Sequence, residues 1–218
     1  MVAGCLCFLG VGIIASMSES EPSLIGWERA VMAAEKVKDR LRRAVNALEN
    51  TGIGYAVAGG NAVAEWISRV DEDAVRNTRD VNIIVRRSDF AAVKAALESA
   101  GFVYCRLMDV DVFIDGPKGK PSGGVHLLFA GERVQPDYAL PSPQLDETET
   151  AIGKEVGMQF RVVSLEALVR MKLLSNCDKD RTHLRDFVGV GLIDATWPTR
   201  FPPELAARLQ HVLDTPGG

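Results

Sequence analysis

The chain has 218 residues, a net charge of −4, 47% apolar residues and 25% charged residues, a composition typical of soluble globular proteins. It excludes disordered, collagen-like and coiled-coil chains, and the length suffices for a core without disulfides or structural metals. Acidic and basic residues are interspersed, so the sequence gives no strong nucleic-acid signal, since duplex binding needs clustered basic residues.

The first segment, Met1 to Ala15, is apolar and uncharged. It is shorter than the ~20 residues that span a bilayer, and it lacks the basic residues that precede the core of a secretory signal. We therefore expect no membrane partner. We expect residues 1–23 to be a disordered or non-native extension, with Met17 as a natural start. The four cysteines form no CxxC pair, which favours reduced thiols and a cytoplasmic location.

Apolar residues from Trp27 to Leu48 recur every three or four positions, which predicts a helix with one buried face. The pattern then predicts a short buried strand, a glycine turn, a second helix and a strand that begins with polar residues. These elements are Tyr55–Ala58, Gly59-Gly60, Asn61–Arg69 and Asp80–Val85.

Further along, the sequence predicts one more helix, four strands and a C-terminal group of helices, the first of them capped by Ser164. These are Ala91–Ala100; Phe102–Leu107, Val110–Ile114, Val125–Phe129 and Met158–Val163; and Leu165–Leu174, Asp180–Val188 and Pro202–Leu213. Gly131–Gly153 lacks periodicity, which predicts a long surface loop or lid. We expect an α+β core over residues 24–163, with a helical segment over 164–218 packed on it.

Two neighbouring patterns form the candidate site. Gly59, Gly60 and Asn61 lie between a strand and a helix, where free backbone N–H groups favour an anion; the plainer interpretation is a tight turn. Asp80 and Asn82 are two apart, so their oxygens share a strand face, as a divalent ion requires. The plainer interpretation here is an exposed strand end.

In this order, the motifs resemble the nucleotidyltransferase superfamily typified by DNA polymerase beta, in particular its stand-alone bacterial branch with the AbiEii-type proteins. The resemblance covers about Tyr55 to Asp186. The motifs that carry it are Ala58-Gly59-Gly60-Asn61-Ala62, Arg76–Val85, Leu168–Leu173, Lys179-Asp180-Arg181 and Leu184-Arg185-Asp186.

The resemblance implies an α+β fold with a mixed sheet flanked by helices, and transfer of a nucleoside monophosphate from a nucleoside triphosphate to a hydroxyl group. The acceptor, whether small molecule, protein or RNA, is unknown. It also implies Mg²⁺ as cofactor, because ions stabilise the entering and leaving oxygens. The implied roles are metal binding and catalysis for Asp80; phosphate contacts for Gly59, Gly60 and Asn61; loop support for Thr78; and phosphate neutralisation for Lys172.

The sequence departs from the family at the metal ligands. Asn82 stands where the family has its second aspartate, and His126 stands on the strand that carries the third carboxylate. Asparagine in place of aspartate removes one negative charge at ~4 Å from a divalent ion. At an effective dielectric constant of ~20 this loses about 8 kcal/mol of electrostatic attraction, before the smaller desolvation cost of the uncharged side chain is counted. We still place Asn82 and His126 in the predicted catalytic set, and Asn82 with Asp80 as metal ligands. The alternative is an inactive member that binds a nucleotide or a partner.

Two other acidic clusters stay open. Asp109 and Asp111 form a second D-x-D before an apolar strand, and Asp111 or Asp115 could also complete the Asp80 site as the missing carboxylate. His183 shares a helical face with Asp180 and Asp186, which is either a site or, more commonly, a solvated or ion-paired face.

Overall fold

The computed structural model describes residues 25–153 and 158–217. The predicted extension, residues 1–23, lies outside the described residues. Within them the chain forms six α-helices and seven strands. The helices are α1 (Gly26–Asn50), α2 (Gly59–Ser68), α3 (Phe90–Ser99), α4 (Leu165–Ser175), α5 (Asp178–Gly189) and α6 (Pro203–Asp214). The strands are β1 (Tyr55–Ala58), β2 (Val81–Val85), β3 (Phe102–Leu107), β4 (Val110–Asp115), β5 (Val125–Phe129), β6 (Thr148–Gly153) and β7 (Met158–Val163).

The strands form one mixed sheet in the order β3-β4-β5-β2-β1-β7-β6. Strand β2 is parallel to β5 and antiparallel to β1, and β1 is parallel to β7. Helices α1 and α3 pack on one face, where Phe90 of α3 meets Tyr104 and Phe129. Helices α2, α4 and α5 contact one another on the other face. The predicted α+β architecture is confirmed.

The predicted buried stripe of α1 is wrong over its first turns. Trp27 is 64% exposed and Val31 is 52% exposed, whereas Leu41 and Leu48 are buried. A helix of 25 residues is about 37 Å long, and among residues 25–153 and 158–217 only its second half packs against other elements. Periodicity shows which face is apolar, but the length of the neighbouring element decides how much of that face is covered.

The predicted loop Gly131–Gly153 is too long, because its last six residues form β6 at the edge of the sheet, antiparallel to β7. An edge strand buries few side chains, so it lacks a clear apolar alternation in its sequence. The remainder of the segment is not confined to the surface. Ser142 and Leu145 within it are buried.

The C-terminal helices lie against the α2 side of the sheet. Leu168 and Leu173 of α4 are fully buried, as are Leu184 and Phe187 of α5. Ser164 caps α4, as its sequence predicts, by accepting a hydrogen bond from the Ala167 amide. Throughout the described ranges, no helix combines the length and the apolar character needed to cross a bilayer.

Candidate functional site

The glycine turn and the start of β2 are in direct contact. Gly59 opens α2 directly after β1 with a φ of +64°, a conformation that favours glycine. A Cβ atom on Gly59 would lie 2.6 Å from Nδ2 of Asn82, and one on Gly60 would lie 2.5 Å from Oγ1 of Thr78. Both positions therefore exclude a side chain, and the two sequence motifs form a single structural unit.

Asp80 is held in place by three polar neighbours. Asn61 donates to its backbone carbonyl at 2.8 Å, Thr78 donates to Oδ1 at 3.0 Å, and Asn82 donates to Oδ2 at 2.8 Å. Burial raises the pKa of the Asp80 carboxyl, but the hydrogen bond from Asn82, the charge of Lys179 and the hydrogen bond from Thr78 together outweigh it and leave the pKa lowered. The carboxylate is therefore ionised at neutral pH.

His126 lies beside Asn82 in the register of β2 and β5. Its Nδ1 is 3.9 Å from Oδ2 of Asp80, and its Nε2 is 2.8 Å from the carbonyl of Pro121. Because a carbonyl oxygen only accepts, Nε2 carries the proton and donates. In the neutral ring, Nδ1 then faces Asp80 without a proton. His126 thus adds no negative charge to the site, unlike the carboxylate that the resemblance to nucleotidyltransferases implies at this position.

A cavity of about 260 Å³ opens in front of the turn. Its lining combines polar or glycine residues with mostly apolar ones. The first group is Gly59, Gly60, Asp80, Asn82, Lys172, Ser175, Cys177, Lys179 and Asp180; the second is Leu128, Val134, Tyr138, Leu140, Ser142, Leu168, Met171 and Leu174.

Five of the predicted site residues line this cavity: Gly59, Gly60, Asp80, Asn82 and Lys172. Three other predicted residues, Asn61, Thr78 and His126, do not line it. They contact Asp80 instead. The structure therefore brings five of the eight to one cavity and the other three into contact with Asp80, and their individual roles stay predictions.

A polar cluster where α4 meets α5 surrounds the buried carboxylate of Asp180. Nζ of Lys172 is 2.5 Å from Oδ1 of Asp180, and Sγ of Cys177 is 3.1 Å from Oδ2. Burial raises the pKa of Asp180, but the charge and hydrogen bond of Lys172 outweigh it and leave the pKa lowered. Burial together with the nearby Lys172 charge lowers the pKa of His183 to about 4, so its imidazole is neutral at pH 7.

The helical face of Asp180, His183 and Asp186 is therefore not a solvated one. Asp180 and His183 are buried, and Asp186 forms a two-point ion pair with Arg76 from the segment before β2. Sequence reasoning gave no site role to Cys177 or Lys179, and it considered Asp180 only on the alternative face with His183 and Asp186. The signal was present in the motif Lys179-Asp180-Arg181, which begins seven residues after Lys172.

The second D-x-D faces the wrong side of the sheet. Val112, not an aspartate, lies next to His126 in the register of β4 and β5. Asp111 accepts a hydrogen bond from Tyr104 at 2.7 Å, and Asp115 forms an ion pair with Arg43 of α1 at 2.5 Å. Since side chains alternate along a strand, these carboxylates lie on the α1 face. Asp109 lies in the turn between β3 and β4, where Arg106 contacts it, so Asp109 and Asp111 are not the metal pair, and neither Asp111 nor Asp115 completes the Asp80 site.

The donor set does not fit two magnesium ions. Asp80 contributes one carboxylate, Asn82 an amide, and the carboxylate of Asp180 is paired with Lys172. Across residues 25–153 and 158–217, no three His, Cys, Asp or Glu side chains are arranged to hold a metal ion. A two-metal site needs carboxylates that bridge the ions, so the second ion that the family resemblance implies has no ligand set here.

No protein-family model and no curated protein sequence matches the chain. Among solved structures, the chain is similar to an antigenic nucleotidyltransferase-like protein from Paracoccidioides brasiliensis, with 20% identity and a TM-score of 0.57 over 84% of this chain and 89% of that chain.

Two weaker similarities were found as well. They are to the resistance factor ANT(2")-Ia in complex with adenylyl-2"-tobramycin (13% identity, TM-score 0.49, 83% of this chain and 98% of that one) and to the lincosamide adenylyltransferase LnuA bound to lincomycin (15%, 0.49, 70% and 96%). The similarity to the Paracoccidioides protein supports the conclusion that this chain has a nucleotidyltransferase-like fold.

Proposed function

We propose that the protein binds a nucleoside triphosphate in the cavity, with the phosphates at the first turn of α2. The observation that carries this proposal is that Gly59, Gly60, Asp80 and Lys172 line one cavity. A turn without side chains lets phosphate oxygens reach backbone N–H groups. The first N–H groups of a helix lack partners within the helix, and the helix dipole favours an anion there.

Nucleotide transfer is the second candidate function. In that reaction a hydroxyl oxygen of the acceptor bonds to the α-phosphorus, the bond from that phosphorus to the bridging oxygen breaks, and pyrophosphate leaves. The nucleotidyltransferase-like fold favours it, and so does the position of an ionised Asp80 beside the turn. Asp80 and Asn82 together provide only one carboxylate, which favours nucleotide binding without transfer. We therefore rank binding above transfer. Membership of the AbiEii-type branch stays a prediction.

Calorimetry of the full chain with each nucleoside triphosphate tests binding. The variant Gly59→Ala places a Cβ atom against Asn82 and should weaken binding by about tenfold or more. Gly52→Ala is the matched control, because Gly52 has a φ of +66° but no neighbour within 4 Å of its Cβ position. Equal binding by the wild type and Gly59→Ala, or no binding of any nucleotide, would contradict the proposal.

Labelling tests transfer separately. Triphosphates labelled at the α-phosphate are incubated with the protein and with small-molecule, protein and RNA fractions of a lysate. A labelled acceptor that disappears with Asp80→Ala supports transfer. Label on no acceptor, from a protein that calorimetry shows to bind the nucleotide, supports binding alone.

A further inference from the structure

We infer that Lys179 supplies the cation of this site, so that the protein binds a nucleoside triphosphate without a divalent metal ion. This inference rests on the proposed nucleotide binding and adds that the triphosphate binds without a metal ion. Lys179 lies in the first turn of α5 and lines the same cavity as Asp80 and the glycine turn. Its Nζ is 3.8 Å from Oδ1 of Asp80.

The surroundings of Asp80 are those of a carboxylate neutralised by protein groups. Thr78 donates to Oδ1 and Asn82 donates to Oδ2, so both oxygens already accept a hydrogen bond from a neighbouring side chain. The ammonium group of Lys179 then balances the single negative charge. With asparagine at position 82, and with the carboxylate of Asp180 paired with Lys172, no second unpaired carboxylate lines the cavity to attract a divalent ion.

The two lysines that line the cavity differ in how firmly their ammonium groups are held. Lys172 is buried and its ammonium group is fixed by Asp180 at 2.5 Å. The side chain of Lys179 is 55% exposed and its contact with Asp80 is long. An ammonium group has three donors, so Lys179 can face Asp80 with one N–H and a phosphate oxygen with another. It is the cation that can bridge the carboxylate and the ligand.

The experiment compares ATP binding by the full chain in excess Mg²⁺ and in excess EDTA, by calorimetry. We expect the wild type to bind in both buffers with similar affinity. Lys179→Met should weaken binding in EDTA by about tenfold, and Lys179→Arg should restore most of it. Lys118→Met is the control, because it removes the same charge from an exposed residue that does not line the cavity.

A second pair of variants tests the same idea from the metal side. Asn82→Asp places a second carboxylate beside Asp80, and Lys179→Met removes the ammonium group. We therefore expect ATP binding by the double variant to depend on Mg²⁺. Thermal unfolding of each variant shows whether it is folded. If the wild type binds ATP only with Mg²⁺, or if Lys179→Met binds as the wild type does in EDTA, the role of Lys179 is overturned while nucleotide binding stands. If neither ATP nor any other nucleoside triphosphate binds in either buffer, the proposed function itself fails.

Discussion

At the scale of single residues, the state of Asp80 depends on side chains two positions to either side of it. Thr78 and Asn82 each donate to one carboxylate oxygen, and burial acts in the opposite direction. The same two side chains lie against the glycine turn. Any change at these positions therefore affects both the charge of the carboxylate and the shape of the turn.

Thr78→Val removes the hydroxyl donor with little change in shape. We expect the pKa of Asp80 to rise, because one of the hydrogen bonds that lower it is lost. The free energy of unfolding should fall by about 1 kcal/mol. NMR titration of the carboxyl and urea unfolding measure the two effects. Thr182→Val is the control, since that hydroxyl bonds only to the backbone of its own helix; an equal pKa in Thr78→Val and the wild type would refute the role of Thr78.

At the scale of elements, α2 is positioned by a buried hydrogen bond as well as by its apolar face. Nε1 of Trp66 donates to the carbonyl of Val163 at the end of β7, at 3.0 Å. This contact joins α2 to the strand that precedes α4. It therefore fixes the glycine turn relative to the helix that carries Lys172.

Trp66→Phe keeps an aromatic ring and leaves the Val163 carbonyl without its donor. An unsatisfied buried group costs about 1–3 kcal/mol, so the free energy of unfolding should fall by that amount in urea denaturation. Trp27→Phe provides the comparison, because Trp27 is 64% exposed and surface changes stay within about 0.5 kcal/mol. Equal destabilisation by the two substitutions would show that the loss of this hydrogen bond does not cause the fall in the free energy of unfolding.

At the scale of the whole molecule, the cavity is formed by both the sheet and the C-terminal helices. Ligand that binds only the folded state stabilises it by about 2.7 kcal/mol at a hundred times its Kd. We expect ATP to slow amide hydrogen exchange in the first turns of both α2 and α5. Exchange in α3, on the far face of the sheet, should be unchanged. Protection confined to the α5 region would show that ATP does not bridge the two parts.

The pH dependence of global stability reports on His183. Its pKa is about 4 in the folded state and 6.5 ordinarily, so below pH 6.5 the unfolded chain binds a proton that the folded chain does not. Stability should therefore fall as the pH drops from 6.5 to 4, by a total on the order of 3 kcal/mol. Asp80 and Asp180, whose pKa values are lowered, add losses in the same direction at lower pH.

Urea unfolding of His183→Gln from pH 4 to pH 7 measures this contribution. The charged groups around His183 are Lys172, Lys179, Asp180 and Asp186, and the substitution leaves them in place. We expect a flatter profile between pH 4 and 6.5 than in the wild type. His211→Gln, at an exposed position, should retain the wild-type slope; a wild-type slope in His183→Gln would exclude His183 as its source.

Much of the fold could be predicted because its signals are local. The glycine turn after Ala58, the apolar strand after Asp80 and the Ser164 cap each depend on a few consecutive residues. The predictions that failed depend on distant neighbours. Strand β6 is stabilised by pairing with β7, and the exposure of Trp27 is decided by where the rest of the molecule ends.

For the site, the sequence by itself determined the residue types: a glycine turn, one aspartate, and an asparagine where the nucleotidyltransferases that the motifs resemble have a second carboxylate. Only the tertiary structure decided which charges meet there. It brings Lys179 and Asp180 to the cavity from α5, across about a hundred residues of chain, and it turns Asp111 and Asp115 to the opposite face of the sheet. The physical reason is that electrostatic interactions depend on distance in space and on burial, and neither quantity is encoded in local sequence patterns.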